Sequence, residues 1–324
     1  MTTLSLKEAQ EAFYALLERV APKDAPAFMQ WIGDTVGFGD ERDDRGGGMS
    51  MATRKLHEIA YHLRQKLPVT ATLESEKILW PKIGYDSECN STNTVHVDCF
   101  LYDDDAVEEL VQEGKMSRSY CISCGGKDTA PLTFISHSLS IPQLEFIMTS
   151  LVPLATKPEG FHVLDIGSRL GSVTAAAHLF SNGRAIVTGI ELNEDFCKIQ
   201  ESVKEDFGLQ SVSIIACDIR QQSKVVEEAD LVVMNNVFCF FASPDEQADC
   251  WKFLHAHLRP GTLLVHNPRV DEVTAHLDLP FTINDWLLPI RTKGKAAKFA
   301  KGDEEVFEDC AMLSFYEVKG PAAK

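Results

Sequence analysis

The feature that most constrains this chain is a glycine turn between two apolar segments. Residues 163–171 read VLDIGSRLG, a small-residue run follows, and residues 189–191 read GIE. An apolar strand that feeds a glycine turn and a helix places backbone N–H groups at one end of a parallel sheet, where nucleotide-type cofactors bind. A dinucleotide fingerprint has the spacing G-x-G-x-x-G, whereas Gly167 and Gly171 are separated by three residues and Arg169 occupies the middle of the turn. The turn therefore predicts an adenosine cofactor without phosphates.

The segments around the turn predict an α/β core. Apolar strands that alternate with helices are typical of a parallel sheet covered on both faces. The predicted strands are residues 161–166, 185–191, 212–217, 231–234 and 262–266, and the alternation in 312–318 predicts a last, antiparallel strand. The expected fold is therefore Rossmann-like and mostly parallel, with helices on both faces of the sheet.

Two regions precede this core, which is assigned to residues 140–324. Residues 1–84 are predicted to be a helical extension, with a capping-box pattern at Ser5-Leu6-Lys7-Glu8, a Gly-rich loop at 37–48 and a second amphipathic helix that Pro68 ends. Residues 85–139 contain short strands, turns and clustered Cys and His. The chain thus divides into an extension, a small Cys/His-rich module and the α/β core.

At the turn the sequence resembles the class I S-adenosylmethionine-dependent methyltransferases. Their first motif reads acid-x-Gly-x-Gly-x-Gly, and Asp165, Gly167 and Gly171 match it, while Arg169 stands at the middle glycine. The resemblance implies a seven-stranded sheet and S-adenosylmethionine as cofactor. Arg169 is counted with the cofactor-binding residues, because a cation at this place needs a partner such as the cofactor's carboxylate or Asp165.

Three carboxylates follow successive predicted strands, namely Asp165, Glu191 and Asp218. The resemblance implies that Glu191 takes both ribose hydroxyls, that Asp218 meets the adenine amino group and that Asp165 lies near the methionine end. A carboxylate can accept two hydroxyl donors at once, which agrees with the role of Glu191. An acid after a strand can instead cap a helix, and this alternative stays open, above all for Asp218.

The fourth predicted strand runs into Asn235-Asn236-Val237-Phe238. Amino-group methyltransferases of this class end that strand in Asn/Asp-x-x-Phe/Tyr, and two asparagines followed by interleaved phenylalanines resemble the non-SET histone-lysine methyltransferases. Asn235, Asn236 and Phe238 are therefore the predicted catalytic residues, and Asn235 is also a predicted cofactor contact. The Asn235 oxygen would hold the hydrogens of a target nitrogen while its lone pair points at the methyl carbon.

An apolar pocket is expected beside this segment. Phe238, Phe240 and Phe241 would lower the pKa of a target lysine by desolvation. The alternative is that the asparagines cap the next helix and the phenylalanines belong to the core. Methylation of oxygen usually needs a base, which this segment lacks, and His137 can supply one only if the fold brings it close.

The module between residues 85 and 139 contains a predicted structural zinc site. His96 and Cys99 form an H-x-x-C pair, and Cys121 and Cys124 form a C-x-x-C pair followed by glycine. Together they make a Cys₃His set for tetrahedral Zn²⁺. Two alternatives stay open: Cys99 is core and the fourth ligand is Cys89 or His137, or the module binds no metal.

The formal net charge of −17 argues against a broad nucleic-acid surface and fits a basic protein or peptide partner, or simply solubility. No run approaches the roughly 20 apolar residues of a membrane span, and no secretory signal is visible. We therefore expect a cytoplasmic or nuclear protein with reduced cysteines. The predicted activity is N-methylation of a protein or peptide side chain, with lysine first and arginine or histidine possible. Two alternatives are a methyltransferase for a small metabolite amine and a cofactor-binding pseudoenzyme that acts as an interaction module.

Overall fold

A twisted seven-stranded sheet organises the computed structural model, which describes residues 20–21, 49–122 and 128–319. The strands are β1 (Thr94–His96), β2 (Ser119–Cys121), β3 (Thr129–Pro131), β4 (Thr133–Ile135), β5 (His162–Ile166), β6 (Ile186–Glu191), β7 (Val212–Ala216), β8 (Leu231–Asn235), β9 (Leu263–Asn267), β10 (Leu287–Ile290) and β11 (Ser314–Val318). The α-helices are α1 (Met51–Arg64), α2 (Asp104–Gln112), α3 (Ile141–Phe146), α4 (Ser172–Phe180), α5 (Glu194–Phe207), α6 (Ser223–Glu228), α7 (Pro244–His257), α8 (Val270–Thr274), α9 (Ile283–Trp286), α10 (Lys293–Ala300) and α11 (Glu304–Met312). A π-turn (Ile147–Leu151) and two 3₁₀ turns (Leu154–Thr156 and Ile219–Gln221) complete the regular structure.

The large sheet has the strand order β10-β11-β9-β8-β5-β6-β7. Strands β5 to β9 pair in parallel, and β11 runs antiparallel to both of its neighbours. The predictions of a mostly parallel seven-stranded sheet and of a last, antiparallel strand are confirmed. Strands β6 and β8 lie on opposite sides of β5, so the strand order reverses at β5. A crevice forms at the carboxyl ends of the strands at such a point.

The strands form here because each is a short apolar run that helices can cover on both faces. All five residues of β5 are buried. Val163 belongs to one buried apolar group, while Leu164 and Ile166 belong to the other, as expected when successive side chains point to opposite faces. The alanines of α4 cover the first face, and Trp251 of α7 covers the second.

The residues that precede the core are partly described. Helix α1 buries Leu56, Ile59, Ala60 and Leu63, which is the predicted apolar face. The predicted capping box at residues 5–8 and the loop at 37–48 lie outside the described residues. The described residues from Ala52 onward form one compact unit, and the predicted boundaries at 84/85 and 139/140 stay predictions.

Helix α3 opens the core and begins with a capping box. Ser140 is the N-cap of α3, its hydroxyl accepts a hydrogen bond from the Gln143 N–H, and the Gln143 side chain completes the capping box. In the small module, β1 pairs with β4 in parallel and β2 pairs with β3 antiparallel. Among the helices of the described segments, none has the length and apolar character needed to cross a membrane.

Candidate active site

A cleft of about 590 Å³ opens at the carboxyl ends of β5 to β8. This volume lies within the range of small-molecule sites, roughly 300–1,000 Å³. Six predicted site residues line the cleft: Gly167, Arg169, Glu191, Asp218, Asn235 and Phe238. Asp165 and Gly171 lie in the same strand and turn, behind the surface of the cleft.

The turn after β5 depends on glycine. Gly167 has a φ of +75° and Gly171 a φ of +77°, a region that L-residues with a Cβ rarely adopt. A Cβ on Gly167 would lie 2.0 Å from Cγ2 of Val237, which itself lines the cleft. Glycine at 167 therefore lets the loop after β8 close against the turn.

The Gly167→Ala variant is expected to lose about 2–5 kcal/mol of unfolding free energy, from overpacking against Val237 and from left-handed strain. The Gly208→Ala variant is a matched control, because Gly208 has a φ of +66° and no heavy atom within 4 Å of its Cβ position. That control is expected to lose only about 1–2 kcal/mol. Urea unfolding of both variants measures the difference, and equal losses would show that Val237 does not crowd the turn.

Two buried carboxyl groups lie beside the turn. Glu191 Oε2 accepts a hydrogen bond from the Arg169 N–H at 2.9 Å, and Oε1 accepts one from the Asn193 N–H at 2.8 Å. Asp165 Oδ2 has no hydrogen-bond partner within the described segments. Burial, and then the charge of Glu191, raise the pKa of Asp165 well above its usual range. A cationic group at this place would stabilise the ionised forms of both carboxyl groups.

Asp218 caps a helical turn, which is the alternative to a cofactor contact. It is the N-cap of a 3₁₀ turn, and its carboxylate accepts a hydrogen bond from the Arg220 N–H at 2.9 Å. The Arg220 guanidinium also binds it, with Nη2 at 2.6 Å from Oδ2. This hydrogen bonding lowers the pKa of Asp218. Asp218 still lines the cleft, so its contact with an adenine group stays a prediction.

Arg169 has partners that the sequence did not indicate. Its φ is +42°, and its buried side chain points into the residues that precede the core. Nη1 lies 2.8 Å from Asp98 Oδ2, and Nε lies 3.2 Å from Glu76 Oε1. Nη2 donates to the Ala71 carbonyl at 2.7 Å, and Cζ lies 4.8 Å from the centroid of the Phe196 ring. The suggestion that Asp165 neutralises Arg169 is therefore wrong, because Glu76 and Asp98 do so.

The two asparagines at the end of β8 face different cavities. Asn235 lines the cleft, and its Oδ1 accepts a hydrogen bond from Nδ2 of Asn267 at 3.0 Å. Asn236 has a φ of +46°, donates from Nδ2 to Asp86 Oδ2 at 2.8 Å and faces a separate cavity of about 10 Å³. Strand β8 ends at Asn235, and the left-handed backbone of Asn236 directs its side chain away from the cleft. The prediction that Asn236 acts beside Asn235 is therefore wrong.

The phenylalanines also separate. Phe238 and Phe241 line the cleft, while Phe240 is fully buried and packs against Trp80, His96 and His137. The predicted three-ring pocket therefore contains two rings, and Phe240 belongs to the core.

The predicted zinc ligands are not brought together. His96 Nδ1 lies 2.8 Å from His137 Nε2, whereas Cys99 and Cys121 are exposed. Cys124 lies outside the described residues. In the part of the chain that the structure describes, no three His, Cys, Asp or Glu side chains gather as a metal site. The described members of the predicted set do not surround a zinc ion, and His96 pairs with His137 instead.

Sequence reasoning missed the segment that forms one wall of the cleft. Ser75, Glu76 and Lys77 line it, and Asn193 Nδ2 donates to Ser75 Oγ at 3.2 Å. No motif marks this segment. The one signal was the unexplained cation in the glycine turn, which required a carboxylate partner from elsewhere in the chain.

One family model matches part of this chain. A family model described as "Methyltransferase domain" matches residues 164–264. The chain has no significant match among curated proteins.

Solved structures similar to this chain include three methyltransferases. A precorrin-6y C5,15-methyltransferase from Geobacter metallireducens is 15% identical, with a TM-score of 0.31 over 38% of this chain and 62% of that chain, which is less than two thirds of its length. A putative O-methyltransferase from Klebsiella pneumoniae is 14% identical, with a TM-score of 0.36 over 57% and 84% of the two chains. A putative sarcosine dimethylglycine methyltransferase from Galdieria sulphuraria is 12% identical, with a TM-score of 0.36 over 55% and 84%. Scores this low do not assign a substrate.

The match begins inside β5, spans the glycine turn and Glu191, and ends inside β9. It therefore contains the strands that end at the cleft, including β8, whose last residue is Asn235. Residues 164–264 are accordingly similar to the methyltransferase-domain family, and this match covers less than half of the chain.

Proposed function

We propose that the chain N-methylates a protein or peptide side chain with S-adenosylmethionine, with lysine as the first candidate and arginine or histidine as further ones. The observation that carries the proposal is the meeting of Asn235, Phe238 and Phe241 with the glycine turn in one cleft. An amide oxygen and two ring faces at this place are suited to orient and desolvate an amino group.

The residues around the turn fit the cofactor. Each Glu191 oxygen accepts one backbone N–H and keeps a lone pair for a ribose hydroxyl. Asp165 Oδ2 is an unpartnered buried acceptor within the described residues, which suits the cationic methionine end. When bound, S-adenosylmethionine supplies an electrophilic methyl carbon on a sulfonium sulfur. Asp165, Gly167 and Glu191 would hold it beside Asn235.

Acidic residues at the cleft favour a cationic acceptor. Four carboxylates line it besides Glu76 and Glu191: Glu194, Asp195, Asp218 and Glu246. The whole chain has a net charge of −17. Together with that charge, the carboxylates at the cleft would attract a basic partner and repel nucleic acid. The proposed partner is accordingly a basic protein or peptide, which such a protein would meet in the cytoplasm or nucleus.

The rings of Phe238 and Phe241 would lower the pKa of a lysine acceptor. Deprotonating a free lysine at pH 7 costs about 4–5 kcal/mol, from a reference pKa near 10.4. Phe238 is buried and Phe241 half-buried at the cleft, so they exclude water from an entering amine. Desolvation lowers the pKa of the amine, and Asn235 Oδ1 can accept one of its remaining hydrogens.

One observation favours a second candidate, a small metabolite amine. Ser75, Glu76 and Lys77 cover one side of the cleft, which narrows the entrance and suits a small acceptor. The pseudoenzyme alternative has less support, because the charge of Arg169 that suggested it is neutralised by Glu76 and Asp98.

The Asn235→Ala variant tests the proposal. A labelled methyl-transfer screen over basic proteins, over peptides with lysine, arginine or histidine, and over small amines identifies the acceptor. On that acceptor, Asn235→Ala is expected to lower kcat about 100-fold or more, because Asn235 positions the target nitrogen. Calorimetry is expected to show S-adenosylhomocysteine binding within about 3-fold of wild type, since ribose and methionine contacts are kept.

The exposed Asn284→Ala variant serves as the control and is expected to retain full activity. Absence of cofactor binding at millimolar concentration would refute the methyltransferase proposal. Transfer of labelled methyl groups to small amines alone would favour the second candidate. Loss of cofactor binding in Asn235→Ala would show that Asn235 binds the cofactor.

A further inference from the structure

A histidine pair has no part in the function proposed so far: His137 is buried and lines the cleft, and His96 is half-buried behind it. His137 follows β4, is 7% exposed and lines the cleft. Its ring contacts Phe241, with centroids 4.9 Å apart. The fold thus brings to the acceptor side a basic nitrogen that is 98 residues from Asn235 in sequence.

The two nitrogens of His137 have different surroundings. Nε2 lies 2.8 Å from Nδ1 of His96, and the two rings stack with centroids 4.9 Å apart. Nδ1 is buried and has no hydrogen-bond partner within the described part of the chain. An unsatisfied buried nitrogen costs free energy, so this one is best explained by a partner that arrives with the substrate.

The segment that carries His137 is firmly anchored. The adjacent Ser138 donates from Oγ to Asp98 Oδ2 at 2.6 Å, and Asp98 in turn binds Arg169. Phe240 packs on both histidine rings. These contacts hold the His137 ring in one place relative to the glycine turn.

We propose that His137 is the general base that takes the proton of the methylated nitrogen, and that His96 orients it by accepting a hydrogen bond from Nε2–H. The inference rests on the proposed methyl transfer and names a catalytic residue for it. His137 is the catalytic residue and His96 a positioning residue.

The proposed reaction transfers a methyl group to the acceptor nitrogen and then a proton to His137. A neutral acceptor nitrogen forms a bond to the methyl carbon while the carbon–sulfur bond breaks, and that electron pair stays on sulfur. The nitrogen then carries one proton more than a neutral amine, and this proton passes to Nδ1 of His137. The imidazolium returns it to water when the product leaves.

The environment keeps His137 in the basic form that this step requires. Burial, and then the charges of Arg169 and His96, lower the pKa of His137 well below its usual range. Its ring is therefore neutral at physiological pH and has one free lone pair. The lowered pKa also makes His137 a weaker base than a free imidazole, so the proton transfer requires that the same desolvation lowers the pKa of the methylated ammonium.

The first test needs no substrate. Long-range ¹H–¹⁵N spectra of histidine-labelled protein with S-adenosylhomocysteine, assigned with His137→Gln, report which ring nitrogen is protonated. We expect Nδ1 of His137 to be unprotonated and Nε2 protonated, and we expect His96→Phe to disturb this preference. Protonated Nδ1 in the wild-type protein would overturn the proposal.

The second test uses the acceptor identified by the methyl-transfer screen. His137→Gln is expected to lower kcat about 100-fold or more, while calorimetry shows S-adenosylhomocysteine binding within about 2-fold of wild type. His178→Gln, a half-buried histidine that hydrogen-bonds Ser211 away from the cleft, is expected to keep kcat. A loss below about 3-fold in His137→Gln would overturn the proposal. If the screen finds no acceptor, the proposed function fails. The spectra of the first test still show which ring nitrogen of His137 is protonated, so the failure of one proposal can be told from the failure of the other.

Discussion

Replacing Arg169 by methionine is expected to lower the unfolding free energy by about 3–5 kcal/mol, because two buried carboxylates lose their cation. The side chains of Glu76 and Asp98 are 5% and 1% exposed, so water cannot replace the guanidinium. Burial already raises the pKa of Asp98, and the Arg169 charge opposes that rise. Without Arg169, Asp98 is expected to take up a proton more readily. Urea unfolding with two independent probes measures the loss.

Two variants show whether the loss comes from unpaired charge. Arg269→Met removes an exposed arginine that binds Asp271 and is expected to change stability by less than about 1 kcal/mol. Arg169→Met combined with Asp98→Asn is expected to be less destabilised than the sum of the single variants, because one stranded charge is gone. A loss below about 1 kcal/mol in Arg169→Met would contradict the assigned ion pairs.

Replacing Glu191 by glutamine is expected to weaken S-adenosylmethionine binding about 100-fold. Both carboxylate oxygens accept backbone N–H groups, and a glutamine amide would set an N–H against one of these donors. The remaining acceptor would also bind the ribose hydroxyls less strongly, since hydrogen bonds to charged groups contribute about 1.5–3 kcal/mol. Calorimetry with S-adenosylmethionine and S-adenosylhomocysteine measures the change.

The fold itself is expected to tolerate this substitution. Burial raises the pKa of Glu191, and its charge raises that of Asp165, so removing the charge relieves a repulsion. The lost backbone hydrogen bond costs stability and the relieved repulsion offsets part of it, so the unfolding free energy is expected to fall by no more than about 1–3 kcal/mol while binding is lost. Glu227→Gln, at an exposed glutamate bound to His257, should leave binding unchanged. Wild-type affinity in Glu191→Gln would remove Glu191 from the cofactor site.

The sheet and the glycine turn could be predicted because their signals are local. Continuous apolar runs marked both ends of every strand from β5 to β9 to within one residue. Strand β10 was missed, because Leu287–Ile290 is a four-residue segment with a proline and no clear period. Its place at the sheet edge follows from pairing with β11.

The candidate site could be predicted only in part. Asn235 and Phe238 were identified from their spacing after a strand, and both line the cleft. Asn236 and Phe240 have the same residue types and adjacent positions, yet they face away from it. Which side a residue faces after a strand ends depends on the backbone of the following turn, and residue type does not reveal it.

The sequence by itself determined strands β5 to β9, the glycine turn and the acid at the end of β6, because hydrophobic period and turn chemistry act between near neighbours. Only the tertiary structure decided how Arg169 is neutralised, which asparagine meets the cleft and where His137 lies. Glu76 and Asp98 are 93 and 71 residues from Arg169. Contacts over such distances form only when the regions before the core fold onto the sheet edge, and short motifs carry no record of that packing.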